Sequence, residues 1–182
     1  MKIDFLPVEE KHLEVIRRWR NSEEVKKYMY TNDDITPEQQ VLWFKNISRK
    51  TDEKHWVIAC DNELVGVINL KNIDLLHKNA EWAFYLGDVV AGSKGIGPLT
   101  EYEFLEYAFN EHKFHKLNCG VITFNSRVIK LHKHFGFKEE GIMREQKYKD
   151  GRFVDIVLLG ITANEWAQQK DKLIGVISAL RE

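Results

Sequence analysis

Gly92-Ser93-Lys94-Gly95-Ile96-Gly97-Pro98 decides how this chain is read. It separates a strand-like run, Ala80 to Gly87, from a helical pattern carrying Leu99, Tyr102, Leu105 and Phe109, with acids expected on the opposite face. Its glycines let backbone N–H groups turn toward an anion, and a helix beginning at Pro98 adds the positive end of its dipole. A pyrophosphate suits such a loop. Gly-x-Gly before a helix also serves as a plain connector, so the loop alone leaves both readings open. It is not a Walker loop, because no Gly-Lys-Ser/Thr closes it. It is a poor dinucleotide fingerprint, because the preceding strand is not chain-initial and no alternating parallel βαβ pattern surrounds it.

Beyond the loop the sequence predicts a strand at 116 to 124 and a helix at 126 to 135. Two strands, 137 to 147 and 153 to 161, flank the turn dipeptide Asp150-Gly151. Thr162 with Glu165 caps a last helix carrying Trp166, Leu173, Ile174 and Ile177. Before the loop, Asp61-Asn62 joins strand-like runs at 54 to 60 and 63 to 72. Residues 8 to 49 read as helical, with Leu13, Ile16 and Trp19 on one face. Thr36-Pro37-Glu38-Gln39 starts a helix that carries Val41, Leu42, Trp43 and Phe44.

The chain has 182 residues, the size of one domain, so 1–182 is expected to be a single unit with one active site. Its 27 basic and 28 acidic residues give a net charge of -1, which offers no field for nucleic acid. The N-terminus has no apolar leader and no stretch has the length of a membrane span, so a cytoplasmic protein without a membrane partner is expected. Cys60 and Cys119 are far apart and outside any metal-ligand spacing, and both read as buried thiols. His112, His115, His132 and His134 fall on different elements without a ligand spacing, so no metal is expected.

A second segment raises the significance of the loop. Asn125-Ser126-Arg127-Val128-Ile129-Lys130-Leu131-His132-Lys133-His134-Phe135-Gly136-Phe137 follows directly on a strand, and with it the chain resembles the GNAT superfamily of N-acetyltransferases in both halves of the cofactor signature. The family loop, Gln/Arg-x-x-Gly-x-Gly/Ala, matches Gly92 to Gly97 with Gly92 in the first position. The later pattern, Asn-x-x-Ala, Leu-Tyr and Gly-Phe, matches Asn125, Val128, Leu131, His132, Gly136 and Phe137, with His in place of Tyr. Gly141 to Glu145, Lys149 to Asp155 and Glu165-Trp166 look like the ribosomal-protein and spermidine acetyltransferase branch. Trp19-Arg20-Asn21, Val25, Met29-Tyr30, Ile35 and Trp43-Phe44 resemble the N-acetyltransferases of pseudaminic acid biosynthesis, although Gln39-Gln40 stands where those often have Glu-His.

The resemblance implies an α/β (α+β) GNAT fold with a mixed, largely antiparallel central sheet of about seven strands flanked by helices. It implies acetyl-CoA as donor, with Phe84, Tyr85 and Leu86 against its pantetheine arm, Gly92, Ser93, Lys94, Gly95, Ile96 and Gly97 at its pyrophosphate, and Asn125 contributing. It implies a small-molecule acceptor, the 4-amino group of a UDP-linked 4-amino-4,6-dideoxy sugar, met by Arg20, Met29, Tyr30, Gln40, Trp43 and Lys71. Polyamine or protein N-terminal acetylation and a non-catalytic acetyl-CoA-binding module are the alternatives.

Catalysis is expected to be direct attack of an uncharged amine, without a covalent enzyme intermediate, near Asn69, Glu81 and His132. Glu81 reads either as a general base or as an exposed or ion-paired carboxylate. His132 reads either as proton donor to the departing thiolate or as a surface residue of a basic cluster. Met29 and Trp43 read equally well as packing of amphipathic helices.

Overall fold

Alternating apolar runs separated by turn dipeptides build one sheet. In the computed structural model, which describes residues 1–87 and 95–182, seven strands lie in the order β1-β2-β3-β4-β5-β7-β6. They are β1 (Ile3–Pro7), β2 (Lys54–Cys60), β3 (Glu63–Asp74), β4 (Asn79–Leu86), β5 (Lys116–Ile122), β6 (Lys138–Lys149) and β7 (Arg152–Thr162). All neighbours pair antiparallel except β4 and β5. Asp61-Asn62 and Asp150-Gly151 are the two-residue turns expected of them, all four residues having positive φ. Lys149 pairs with Arg152, so the second connection is tight, and the irregularity lies inside β6, where register shifts between Met143 and Lys147.

The helices are α1 (Leu13–Asn21), the single turn α2 (Glu23–Lys26), α3 (Pro37–Ile47), α4 (Ile96–Glu106), α5 (Ser126–His134) and α6 (Ala163–Arg181). Thr36 and Thr162 cap α3 and α6 with reciprocal bonds to Gln39 and Glu165. The expected helix over 8 to 49 is interrupted at 27–36, which has no helical structure and crosses the molecule as a strap. α4 begins at Ile96 and not at Pro98, with Gly95 at φ 78 as its N-cap.

Strand alternation divides the interior. On one face Trp82, Leu70, Leu117 and Leu159 meet Leu99, Phe104 and Leu105 of α4, Phe135 after α5, and Trp166, Leu173 and Ile177 of α6. On the other, Ile16 and Trp19 of α1 cover Val57 and Val67. Ile174 is exposed, as are Val41 and Leu42, so those apolar positions do not join the core expected of them. α4 is not the amphipathic helix its acids suggested. Both Thr100 and Glu101 are fully buried: α6 packs on the side of Tyr102 and Glu106, while His132 of α5 meets Glu101.

Candidate active site

The chemistry centres on the one parallel junction in the sheet. β4 and β5 pair only through Asn79 with Lys116, Ala80 with Leu117 and Glu81 with Asn118. Beyond that point β4 keeps β3 on one side, β5 keeps β7, and the two strands part. The facing backbone edges have no strand partner among the described residues, and unpaired edge groups are ready to bond an extended ligand. Phe84, Tyr85 and Leu86 lie on this free edge, half-buried. The first turn of α4 sits at its end, since a Cβ on Gly97 would meet Leu86 Cδ1 at 3.8 Å. Gly95, Ile96 and Gly97 thus bring the amino terminus of an 11-residue helix to the mouth of the cleft, where its dipole favours an anion. Gly92, Ser93 and Lys94 lie outside the described residues. Asn125 is buried at the N-cap of α5, and its backbone N–H donates to the Ile122 carbonyl at 2.8 Å, shaping the turn from β5 into the helix. A free strand edge ending at a glycine-capped helix fits an extended thioester arm carrying a pyrophosphate.

Beneath the apex of the cleft, where Trp82 and Cys119 begin to diverge, lies His132. It is no surface residue: only 4% of it is exposed, with its ring against Trp82, Phe84 and Phe137 at centroid distances of 5.2, 6.4 and 5.2 Å. Its Nδ1 is 2.8 Å from Oε1 of Glu101, whose other oxygen is buried without a partner. Burial by itself would depress the imidazole. The charge on Glu101 first, and then Cys119, oppose that and lift it to about 10. The ring is therefore a cation at neutral pH.

The opposite face of the sheet carries the other candidates. Cross-strand register aligns His55, Asn69 and Ala83 in one row and Lys71, Glu81 and Asn118 in the next. Asn69, Lys71 and Glu81 are therefore neighbours, with Glu81 exposed. Tyr30 reaches this region from the strap, its hydroxyl donating to the Gly120 carbonyl at 2.8 Å. Burial raises its phenol, with Cys119 and Glu81 acting in the same direction. The half-buried Met29 precedes it. Trp43 stands edge-on to His55 at 5.3 Å, tying α3 to the same rows.

Further along β4, Arg20 of α1 is close enough to Tyr85 for each to perturb the other. Burial lowers the guanidinium and pushes the phenol far up. Arg20 Nη1 is buried without a hydrogen-bond partner among the described residues. No surface ion pair with Glu14 holds it, because Glu14 is taken by Arg17 at 2.8 Å. Gln40 stands apart from this group. It lines a groove of about 680 Å³ between α1 and α3 with Leu13, Arg17 and Phe44.

Glu101 and Lys149 escaped the sequence reading. Glu101 is followed by Phe104, Leu105 and Ala108 at helical spacing, the signal that its face is apolar. Lys149 is 4% exposed and donates to the Lys26 carbonyl at 3.1 Å and to Asn32 Oδ1, clamping the strap to the β6–β7 hairpin.

A sheet parted at a single parallel junction, with a helix amino terminus at its mouth, defines an acyltransferase that takes an extended thioester donor. The acetyltransferase (GNAT) domain family matches residues 2–138, and the chain belongs to that family. It is an acetyl-CoA-dependent N-acetyltransferase with the GNAT fold. Acetyltransferase PseH of Campylobacter jejuni is 27% identical over 139 residues, covering 75% of this chain and 85% of the relative. Spermidine N(1)-acetyltransferase of Vibrio cholerae is 23% identical over 160 residues, covering 87% and 92%. A crystal structure of the Vibrio cholerae spermidine N-acetyltransferase with CoA and spermine superposes with a TM-score of 0.83 at 20% identity, over 91% of this chain and 98% of that one.

Proposed function

We propose that the acceptor is the amine of a UDP-linked 4-amino-4,6-dideoxy sugar, acetylated by direct attack. The observation that carries this reading is the orphaned Nη1 of Arg20. A buried guanidinium nitrogen without an acceptor is costly, and a diphosphate is the kind of group that would satisfy it. Along β4, Glu81, Ala83 and Tyr85 alternate onto the acceptor face, so Glu81 and the Arg20 end are roughly 13 Å apart at about 3.3 Å per residue. That length separates an amine from a sugar-linked diphosphate. Lys71 adds a second cation to the face, and Tyr30 and Trp43 offer aromatic surfaces to sugar and uracil.

In the reaction the amine lone pair forms the C–N bond at the acetyl carbon and the C–S bond breaks, its electron pair leaving on sulfur. Glu81, exposed beside Asn69 and Lys71, accepts the proton the nitrogen loses and passes it to water. Backbone N–H groups of the free β4 edge hold the carbonyl oxygen as it gains charge. His132 presents positive charge beneath the apex, where the leaving thiolate forms and then takes a proton from water, balancing the one that Glu81 released to it.

The resemblance of the segment from Trp19 to Phe44 to the N-acetyltransferases of pseudaminic acid biosynthesis supports a sugar acceptor, and the likeness to spermidine acetyltransferases supports a polyamine. A polyamine calls for clustered carboxylates, whereas this face holds Arg20 and Lys71. A CoA-release screen separates the two. The UDP-4-amino sugar is expected to give the highest kcat/KM among UDP-amino sugars, spermidine and peptides. Preference for spermidine or a peptide would reject the acceptor assignment and leave the reaction class intact.

A further inference from the structure

We propose that Glu101 is a positioning residue for this reaction, the buried counter-charge that keeps His132 an imidazolium and fixes its ring beneath the point where β4 and β5 part. The inference rests on the placement of His132 at the leaving group described above.

The geometry has three parts. Glu101 projects from α4, the helix whose first turn meets the end of β4, and is 0% exposed. Its Oε1 holds His132 Nδ1 at 2.8 Å, and Cys119 is the ring's other side-chain hydrogen-bonding partner, so the ring is fixed from two sides. Among the described residues Glu101 Oε2 and the neighbouring Thr100 hydroxyl are both buried without partners, so few other groups spread the carboxylate charge, and it falls on the imidazole. A carboxylate so placed is expensive to bury, and apolar residues of similar volume commonly replace such pairs without loss of stability. A role in the reaction explains why the pair stands here.

The charged and titratable groups around the ring are few among the described residues. α4 supplies Glu101 and β5 supplies Cys119. β4 contributes Trp82 and Phe84, and Phe137 follows α5; none of the three titrates in the working range. Lys130, Lys133 and His134 on the same helix as His132 are exposed. Without Glu101, only Cys119 still opposes the burial that disfavours the charged ring, and we expect the imidazole to become neutral at working pH. The cation is the useful form, so parent turnover should persist as pH rises until His132 loses its proton near 10. In Glu101→Gln the alkaline limb should move down by several pH units.

The test joins an NMR titration of the His132 ring, in protein without substrate, to pH profiles of kcat for the parent, Glu101→Gln and Glu101→Asp. The expected result is a ring that stays charged above pH 9 in the parent, is neutral at pH 7.5 in Glu101→Gln, and recovers its charge in Glu101→Asp. Turnover should fall about ten-fold or more in Glu101→Gln at pH 7.5, recover at lower pH, and be largely restored by Asp. A ring that titrates alike in all three proteins overturns the proposal. If the ring titration shifts but kcat does not, Glu101 holds charge without serving the reaction, and the proposal fails on that ground. Should Glu101→Gln not fold, the NMR titration of the parent and Asp proteins decides, and a parent ring titrating near 6.5 overturns the pairing. His132→Gln separates this from the underlying reading: unchanged turnover there removes His132 from the reaction even if the pair exists. Loss of turnover there with a flat Glu101→Gln profile rejects Glu101 alone.

Discussion

The hydroxyl of Tyr30 donates to the carbonyl oxygen of Gly120 at 2.8 Å, joining positions 90 residues apart. The strap is also held by Lys149 on Lys26 and Asn32, by Asn32 on Asp150, by Lys26 on Asp34, and by Asn21 on both backbone groups of Ile35 at 2.9 and 2.8 Å. Tyr30→Phe deletes one neutral hydrogen bond, about 1 kcal/mol. We expect KM for the amine acceptor to rise about five-fold while the Kd of acetyl-CoA, measured by calorimetry, is unchanged. Gly120→Ala should do the same, because its Cβ would stand 3.0 Å from the Tyr30 hydroxyl.

Arg20→Ala is expected to raise KM for the UDP-amino sugar far more than for acetyl-CoA. A charge-assisted bond to phosphate contributes about 1.5–3 kcal/mol, or roughly ten-fold or more in affinity. Steady-state kinetics with each substrate varied in turn measures the split. Equal KM values for parent and variant would return Arg20 to a packing role against Tyr85.

Acetyl-CoA should raise the thermal midpoint, because a ligand that binds only the native state stabilises it by mass action. Gly97→Val is expected to abolish most of that shift while the ligand-free midpoint falls only a few degrees. Gly95 is the poorer probe. Its φ of 78 and the 2.5 Å approach of a Cβ to Leu180 mean that any side chain there disturbs the fold itself.

Glu165 ties pH to stability. Lys138 and the backbone of Thr162 hold its carboxyl down to about 2, below its ordinary value of 4.5. A depressed folded-state pKa gives stabilisation that is complete above about pH 4.5 and is lost as pH falls toward 2. Glu165→Gln should therefore flatten the acid side of the stability curve in that window, as followed by urea unfolding. Thr162→Ala, which removes the cap of α6 and a hydrogen bond to the Glu165 carboxylate, should cost about 1 kcal/mol above about pH 4.5 and less as the pH falls toward 2.

Local signals carried most of the fold. Turn dipeptides, two capping boxes and period-two runs placed the strands and the capped helices, because each depends on residues a few positions apart. The interruption at 27–36 was not legible, since Tyr30, Asn32 and Ile35 find their partners at Gly120, Lys149 and Asn21 through tertiary contact. The same limit applied to the site. His132 was found by its place in a motif, but its neighbours Lys130, Lys133 and His134 suggested a surface helix. Glu101 belonged with the acids expected opposite the apolar stripe of α4, and the partner that meets it inside the fold, His132 of α5, lies 31 residues away. The acceptor row of Asn69, Lys71 and Glu81 depends on strand register, which no single segment encodes.

The junction of Asn79–Glu81 with Lys116–Asn118 also bears on how the molecule holds together. β2, β3 and β4 follow one another as antiparallel neighbours, and β6 and β7 form one hairpin beside β5. The β2–β3–β4 meander and the β6–β7 hairpin can thus mature from contacts close in the chain, whereas the seam closes the connection from β4 to β5 through only three register pairs. A donor lying along both free edges behaves as a removable strand, completing the seam when it binds and reopening it when spent. Every turnover then stiffens and loosens the boundary between two cooperative units, and amides along Phe84 to Leu86 and Gly120 to Ile122 would record that cycle in their exchange with water.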